Sequence, residues 1–550
     1  MSYCLPKFAA DDFKGKLKSG EINPEKLSNM TSEERRNFFT GFLGKDHAIQ
    51  TNALFESKLL LKNQQQGIIT WAKTVGGLKP EARRELIDRV GKMTEVLQPK
   101  DAQKFYEDLA AQKLGARVTP EEAQKIADLA KNVEATKGAK DRMEFGRARV
   151  AFNNYVSDLK NAANKPTLGE RLKNPVGVLS EIGGTTKSLK ASLDNSAIFR
   201  QGWKTMFTNP VIWQKNARQS FVDIAHSLGG KKVLDETHAD IMSRPTYDAM
   251  KKAKLDVGTT EEAYPTHLPA KVPILGRAYT ASEEAYTAFV QRTRADVFDK
   301  YLKIAETAGI DISDKEQLLG IGKVVNALTG RGDLGAFEGA AKGINNIFFA
   351  PRNLKSNIDL LTVHAFDKGI TPFARKQAAM NLVKVITGTA SILAIANAIK
   401  PGSVDWDPRS ANFGKIRIGD TRFDVTGGIG SIPILVSRLI TMSSKSSVTG
   451  KITKLNSGKY GAQTGSDVLV NFAEGKLSPI ASVVKDILKG KDFNGNKPTV
   501  LGEANNLLTP LPVTNAIELN NNPHSANVLA GIIADALGIS VNTYSKQTKK

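Results

Sequence analysis

The chain has 550 residues, of which 41% are apolar, so it is long enough for several packed cores and too apolar for a disordered protein. Its 77 Lys and Arg residues against 56 Asp and Glu residues give a formal net charge of +21, which favours polyanionic partners such as DNA or an anionic membrane face. A single cysteine, Cys4, excludes an intrachain disulfide and a zinc site built from several cysteines.

Residues 1–135 are predicted to form an N-terminal region of consecutive amphipathic helices. Two capping boxes mark helix starts, at residues 31–34 and at residues 119–122, where Pro120 takes the first helical position. No basic stretch leads into an apolar core at the start of the chain, so we expect no signal peptide and synthesis in a cytoplasm. A narrow packing stripe of small apolar residues is predicted after Thr119, formed by Ala123, Ile126, Ala127, Ala130 and Val133.

The rest of the chain divides into four regions by composition. Residues 136–172 are predicted to be an exposed basic helix and a linker that ends near Pro166. A helical middle region over 173–310 follows, then a helical region over 311–402 that ends in an apolar helix, then a C-terminal region over 403–550. In the middle region Trp213 and Phe221 are assigned to the core. A long helix running toward Lys303 is predicted to use close packing and same-face ion pairs through Ala281, Ala285, Ala288, Phe289, Arg292, Asp296 and Asp299.

Residues 385–399 form the most apolar segment and contain no charge. Lys400, Pro401 and Gly402 follow and predict the end of a helix. These residues reach about 22 Å as a helix, less than the roughly 30 Å hydrocarbon core, so a buried helix and a membrane-embedded helix both stay open. Its small residues favour close packing, for which the Ala- and Gly-rich segment 528–541 is the expected partner helix. The candidate membrane or helix-packing residues are Val385, Gly388, Ile392, Leu393, Ala394, Ile395, Ala396 and Ile399.

The clearest β-hairpin is predicted at residues 413–425. Gly419 and Asp420 form a two-residue loop with glycine first, as a type II′ turn requires. The expected register pairs Ile418 with Thr421 and Ile416 with Phe423 on one face, and leaves Lys415, Arg417, Arg422 and Asp424 on the other. Residues 443–458 are predicted to be a loop, and residues 468–472 and 480–488 to be amphipathic helices. The predicted fold class is therefore mostly α, with multi-helix bundles or an array and one small β-hairpin near 413–425.

The sequence contains few patterns that are typical of catalytic, nucleotide-binding or metal-binding sites. No segment matches a P-loop, and Gly428-x-Gly430 lacks the third glycine and is not predicted to connect a strand to a helix. His226, His238 and Asp240 do not have the spacing of a common zinc motif. The Arg-Gly-Asp tripeptide at 331–333 is interpreted as a polar turn rather than an adhesion motif. No catalytic, cofactor-binding or metal-binding residue is predicted, and we expect no enzyme activity, although a glycosidase-type pair of carboxylates stays open because the helices carry many of them.

Five stretches together resemble a bacteriophage protein type, the large polyvalent-protein-associated or virion structural type. Residues 193–202 resemble its "SLDLSAPLRQG" motif, residues 281–286 its "ASERAY" helix start, and residues 329–334 its "TGRGSLG" block. Residues 348–353 resemble its "FFSPR" block, and residues 412–428 its "DFGKIRVGNTRFDLTGG" hairpin. The resemblance extends from about residue 187 to the C-terminus, with departures at Asn195, Phe199 and Glu284. The matching positions are Asp194, Ser196, Arg200, Gln201, Gly202, Gly330, Arg331, Gly332, Pro351, Arg352, Gly414, Gly419, Arg422, Phe423 and Asp424.

This resemblance implies a non-enzymatic virion protein and brings no catalytic residue. Together with the basic charge and the apolar helices, it leads us to expect a protein internal to the particle and delivered with the DNA. The expected partners are other virion proteins in an oligomeric assembly, DNA bound without sequence preference and in a salt-sensitive way, and an anionic membrane. We expect synthesis in the host cytoplasm, residence in the virion, and arrival at the host membrane or periplasm after ejection. Two alternatives stay open, a cell-wall-degrading virion enzyme that resembles a transglycosylase and a soluble DNA-coating protein.

Overall fold

The computed structural model of the protein describes residues 21–43, 45–74, 119–163, 195–258, 275–335, 347–367, 369–447, 449–458, 463–490, 509–522 and 524–543, with short pieces between them. The chain divides by its contacts into two units, Met1–Lys165 and Pro166–Lys550. The predicted fold class is confirmed, because the described elements are mostly helices and the few strands form two small antiparallel sheets.

The first unit is helical throughout its described elements. These are α1 (Pro24–Asn29), α2 (Ser32–Leu43), α3 (Lys45–Thr74), α4 (Pro120–Ala135) and α5 (Arg142–Ala163). Both predicted capping boxes are confirmed. Thr31 donates its N–H to the Glu34 carboxylate at 2.7 Å and accepts from the Glu34 N–H at 3.3 Å, and the same exchange at Thr119 begins α4. Each box satisfies N–H groups that the first turn of a helix leaves open.

The stripe predicted on α4 packs against α5. Its buried members are Ile126, Ala127, Ala130 and Val133, and the side chain of Ala123 lies outside the described residues. On α5 the buried residues include Ala148 and Phe152. The helix predicted within 136–172 is therefore present, but its exposed character is wrong, because one face of α5 completes the core that α4 alone cannot close.

The second unit is arranged around a long helix. Five short elements precede it, α6 (Ala197–Arg200), α7 (Trp203–Thr208), α8 (Pro210–Leu228), α9 (Val233–Ser243) and α10 (Tyr247–Lys252). The long helix α11 (Leu275–Thr307) then packs against α8, α9 and α12 (Lys315–Leu328). Its predicted close packing is confirmed, since Ala281, Ala285 and Ala288 are at most 1% exposed.

The charged residues of α11 pair with neighbouring helices. Arg292 donates to Asp223 of α8 at 3.0 Å. Arg244, at the end of α9, contacts both Asp296 at 2.8 Å and Asp299 at 2.9 Å. The predicted ion pairs within one face of the helix are therefore wrong, because these partners on other elements compete for the same groups.

The core assignment holds for one of the two aromatic residues of α8. Trp213 is partly buried, and its Nε1 donates to the Ile198 carbonyl at 2.9 Å. Phe221 is 53% exposed, so its assignment to the core is wrong. The face of α8 that meets α11 instead contains Ala217 and Ser220, which are small enough for close approach.

Helices α13 (Pro351–Phe366) and α14 (Pro372–Ile399) form the next layer, and α14 packs against α7, α12 and α13. The apolar segment 385–399 is the second half of α14, which begins 13 residues earlier than the apolar run itself and ends at Ile399 as predicted. Pro372 at the first helical position marks that earlier start.

The C-terminal part holds the sheets. The hairpin is confirmed, with β1 (Lys415–Ile418) and β2 (Thr421–Asp424) in the predicted register and Gly419 at φ +60°. A later strand, β5 (Ser540–Thr543), extends this sheet beside β2. Five helices and two further strands complete the described elements, namely α15 (Ser431–Thr441), β3 (Ser443–Lys445), β4 (Ile452–Lys454), α16 (Gly465–Glu474), α17 (Pro479–Lys489), α18 (Leu511–Asn521) and α19 (Val528–Ala536).

Two C-terminal predictions need correction. The segment 443–458, predicted as a loop, contains the antiparallel pair β3 and β4. The helix predicted over 528–541 ends at Ala536, because Gly538 takes a left-handed conformation with φ +100° and Val541 pairs with Phe423 as part of β5. The predicted helices at 468–472 and 480–488 are confirmed as α16 and α17.

Candidate functional site

Helix α14 has one buried face and one exposed face, and the exposed face is apolar. Val385 and Leu393 are buried, Gly388, Ile392 and Ala396 are partly buried, and Ala394 is exposed. The large apolar residues on the outer face are Met380 (42% exposed), Val383 (63%), Ile386 (56%), Ile395 (61%) and Ile399 (81%). The candidate residues therefore form two groups, one that packs against the rest of the unit and one that is exposed to water.

The buried face of α14 meets α7 rather than the predicted partner. A β-carbon at Gly388 would lie 2.2 Å from Cδ1 of Phe207, so only glycine admits this ring. Helix α19, the helical part of segment 528–541, packs instead against α18 and β5. Close packing at a small residue is therefore confirmed, whereas the predicted helix pair is wrong because the Phe207 ring fills the groove beside Gly388.

The length of α14 is sufficient to cross a bilayer. Its 28 residues span about 42 Å, and its most apolar 18-residue window has a mean hydropathy of 1.7. Only 11% of that window is buried. Within the part of the chain that the structure describes, it is the one helix long and apolar enough to be a membrane span.

A second candidate site is a cavity of about 930 Å³ inside the second unit. All five stretches that carry the resemblance contribute to its wall. The matching positions that line it are Ser196, Arg200, Gln201, Gly330, Arg331, Pro351 and Asp424, and Tyr286 of the 281–286 stretch joins them. The sequence did not predict this cavity, since its walls come from segments as far apart along the chain as Ser196 and Asn542.

The other matching positions support the backbone around the cavity. Gly332 donates to the Arg352 carbonyl at 3.0 Å, and a β-carbon there would lie 2.4 Å from the Ser356 nitrogen. Arg422 is 7% exposed and donates to the Gly419 carbonyl at 3.3 Å. The remaining positions are Gly202, Gly414, Gly419 and Phe423, which do not line the cavity, and Asp194, which lies outside the described residues.

One residue of the Arg-Gly-Asp tripeptide, Arg331, is part of this wall. Arg331 is 7% exposed and forms an ion pair with Asp256. Arg294, fully buried, donates to the Thr329 hydroxyl at 2.8 Å and to the Thr329 carbonyl at 3.0 Å, which holds the start of the turn. The guanidinium of Arg331 is therefore engaged inside the unit, as expected for a structural turn.

A glycine-rich loop connects β2 to α15 at the cavity wall. Gly427, Gly428 and Gly430 line the cavity together with Ser431, the first residue of α15. The sequence-based statement that Gly428-x-Gly430 does not connect a strand to a helix is therefore wrong, since β2 precedes this loop and α15 follows it. Among the described residues, the N–H groups of Gly427, Gly428 and Ser431 donate no hydrogen bond. Free N–H groups at a helix start attract anions.

The side chains of two lysines lie beside this loop. Lys476 donates to the Ser431 hydroxyl at 3.2 Å and lies 5.5 Å from the centre of the Phe472 ring. The backbone N–H of Lys415, on β1, donates to the Asn412 carbonyl at 3.0 Å, and the Lys415 side chain lines the cavity. Burial lowers the pKa of both ammonium groups, and Lys415 lowers the pKa of Lys476 further by repulsion.

The carboxylate of Asp424 attracts both of these cations. Asp424 raises the pKa of both lysines, and its Oδ1 accepts from the Thr426 N–H at 2.8 Å and from the Thr426 hydroxyl at 2.6 Å. Of the four residues on the predicted polar face of the hairpin, Lys415 and Asp424 line the cavity, whereas Arg417 is exposed to water. The two ammonium groups of Lys415 and Lys476 and the carboxylate of Asp424 together carry one net positive charge.

Among the residues that the structure describes, polar atoms without a hydrogen-bond partner also belong to residues of the cavity wall. Gln201, 8% exposed, donates to the Tyr286 hydroxyl at 2.7 Å, and its carbonyl oxygen has no hydrogen bond. The side-chain carbonyl oxygens of Asn353 and Asn357 and Oε2 of Glu503 are also buried without a partner. Partly buried aromatic side chains line the same space, namely Phe348, Phe349, Phe413 and Phe472.

The described residues contain no group of three or more His, Cys, Asp or Glu side chains that could hold a metal ion. His238 instead forms a 2.8 Å hydrogen bond with Gln291, and burial lowers its pKa. Comparison of this chain with family models, curated proteins and solved structures gives no match.

Proposed function

We propose that this protein is a non-enzymatic bacteriophage virion protein, internal to the particle and delivered with the DNA, which contacts an anionic membrane through the exposed face of α14. The proposal of a membrane contact depends on a single observation, which is that only 11% of an 18-residue apolar window of α14 is buried. The phage setting rests on the sequence resemblance, and the DNA contact rests on the net charge of +21.

The exposed face of α14 has a thermodynamic reason to seek an apolar environment. Removing one Ile- or Val-sized side chain from water contributes about 1.5–3 kcal/mol, and five large apolar side chains lie on this face. Lys376 and Lys384 are exposed on the same helix and can reach anionic headgroups while their methylene groups stay near the apolar layer. A membrane therefore satisfies both the apolar and the cationic parts of this surface.

Vesicle flotation tests this proposal. The full chain should float with vesicles that contain phosphatidylglycerol and float less with neutral phosphatidylcholine vesicles. Ile395→Asp and Ala394→Asp place a carboxylate on the outer face and should abolish flotation without changing the folded protein, because both side chains are exposed.

The control is Val211→Asp on α8, where an apolar side chain is 78% exposed but does not belong to α14. It should float like the parent chain. If the parent chain stays in solution with both vesicle types and forms an oligomer that Ile395→Asp dissociates, the exposed face is a protein interface and the membrane contact is refuted. Mass spectrometry of purified particles, before and after DNA ejection, tests the virion part separately.

A further inference from the structure

We infer that the cavity of the second unit binds a nucleotide, with its phosphate at the glycine loop 427–431 between Lys415 and Lys476, and its base among the aromatic side chains. The proposed function assigns no ligand to this cavity, so the inference goes beyond it. A free nucleotide and one nucleotide of a single-stranded DNA share this chemistry, and the experiment below distinguishes the two.

The phosphate position follows from the donors around the loop. Among the described residues, the N–H group of Ser431 is free at the start of α15, an 11-residue helix whose N-terminal end carries a partial positive charge, and those of Gly427 and Gly428 are free in the loop before it. Lys476 is held at this helix start by Ser431, and Lys415 approaches from β1. Asp424 is the acidic residue that interacts with both lysines, and an anion at this point would compensate the charge that remains.

A second set of groups favours a ligand larger than a simple anion. The carbonyl oxygens of Gln201, Asn353 and Asn357 are buried without partners and require hydrogen-bond donors. A buried acceptor without a partner costs about 1–3 kcal/mol, so a ligand that supplies donors is favoured. The three oxygens are closed to water in this structure, so sugar hydroxyls and base amino groups in the cavity would satisfy them after the side chains rotate toward the ligand.

The base position follows from the aromatic side chains. Phe348, Phe349 and Phe413 are partly buried and line the cavity, where they offer flat apolar surface to a heteroaromatic ring. The ring of Phe472 is covered on one side by the Lys476 ammonium and so serves to position that cation. The cavity volume of about 930 Å³ lies within the usual range for small-molecule sites and exceeds the needs of phosphate alone.

Isothermal titration of the full chain tests the inference with four probes, namely 5′-dAMP, adenosine, inorganic phosphate and a short oligodeoxyadenylate. We expect 5′-dAMP to bind at least tenfold more tightly than either adenosine or inorganic phosphate. If the oligodeoxyadenylate displaces 5′-dAMP, the cavity takes a nucleotide of single-stranded DNA. If it does not, the cavity takes a free nucleotide, and both results support the inference.

Lys476→Met is the test variant, because methionine fills a similar volume and removes a cation that burial already disfavours. It should weaken 5′-dAMP binding at least tenfold. Lys454→Met is the matched control, since Lys454 is exposed on β4 and does not line the cavity. It removes the same charge from the whole chain and should leave binding unchanged.

Three outcomes would overturn the inference. These are no binding of 5′-dAMP at concentrations of about 1 mM, equal affinity for 5′-dAMP and inorganic phosphate, and equal losses in Lys476→Met and Lys454→Met. Thermal unfolding of each variant checks that the fold persists, and Phe413→Leu provides a second variant that leaves both lysines in place and should also weaken binding. Vesicle flotation should be the same for Lys476→Met and the parent chain, so failure here is distinguishable from failure of the proposed function.

Discussion

The ring of Phe207 occupies the place that a β-carbon on Gly388 would need, with Cδ1 only 2.2 Å from that position. Phe207 lies on α7 and Gly388 lies in the middle of α14, 181 positions later in the chain. This contact attaches the apolar helix to the second unit by one face and leaves the opposite face in water. It also explains a glycine inside a helix, where alanine would otherwise be favoured by about 1 kcal/mol.

Gly388→Ala should therefore lower the free energy of unfolding despite the better helix propensity of alanine. Overpacking typically costs about 1–3 kcal/mol. A cost near the upper end of that range exceeds the gain of about 1 kcal/mol from the higher helix propensity of alanine. Urea unfolding of the single variants and of Phe207→Leu with Gly388→Ala measures the coupling. The double variant should be more stable than the sum of the single effects predicts, and additive effects or a more stable Gly388→Ala would contradict the contact.

Gly419 in the hairpin turn and Gly458 in the segment after β4 form a matched pair of glycines. Gly419 (φ +60°) and Gly458 (φ +68°) both take the left-handed conformation, but a β-carbon at Gly419 would lie 2.1 Å from the His524 carbonyl oxygen, whereas Gly458 has open space. Gly458→Ala should cost about 1 kcal/mol for the backbone alone, and Gly419→Ala should cost clearly more. Thermal unfolding measures the loss of stability in each variant. Equal losses would show that the close approach to His524 adds no cost to Gly419→Ala.

Lys204 should make the stability of the second unit depend on pH. Its ammonium is fully buried, donates at 2.9 Å to both the Ala327 carbonyl and the Ser356 hydroxyl, and has its pKa lowered by burial to about 7. Between about pH 7 and the ordinary lysine pKa of about 10.4, the unfolded chain binds one proton more than the folded chain. The free energy of unfolding should therefore rise with pH in this range, by up to about 1.4 kcal/mol per pH unit from this group.

The variant Lys204→Met isolates that contribution. It removes the titrating group and keeps a similar side-chain volume, so the slope of stability against pH between about pH 7 and pH 9 should be smaller than in the parent chain. Urea unfolding at several pH values measures both slopes. Parallel slopes would mean that Lys204 keeps an ordinary pKa through its attraction to Asp359.

DNA binding should be independent of sequence and sensitive to salt. The net charge of +21 provides many phosphate contacts, and no sequence-recognition motif accompanies it. Filter binding with two unrelated duplexes at low and high salt should give equal affinities that fall together as salt increases. A strong preference for one duplex, or an affinity that salt leaves unchanged, would contradict this prediction.

Several features of the fold follow from the sequence because they depend on residues close together in the chain. The capping boxes join Thr31 to Glu34 and Thr119 to Glu122, three positions apart, and they begin α2 and α4 as predicted. Gly419 and Asp420 determine the turn, and the turn determines the register of β1 and β2. The end of α14 at Ile399 follows equally from the Pro and Gly residues after it.

The candidate sites depend on contacts between distant residues, which local patterns do not encode. An apolar run predicts a helix over 385–399, but only packing against Phe207 decides which face of α14 is buried and which is left exposed. The cavity requires Gln201 to meet Tyr286, 85 positions away, and Lys476 to meet Ser431, 45 positions away. Such contacts depend on how the surfaces of whole elements fit together, and loop closure costs similar free energy for many alternative pairings. The sequence by itself therefore determined the helices and the hairpin of this protein, and the tertiary structure alone decided the exposed face of α14 and the cavity.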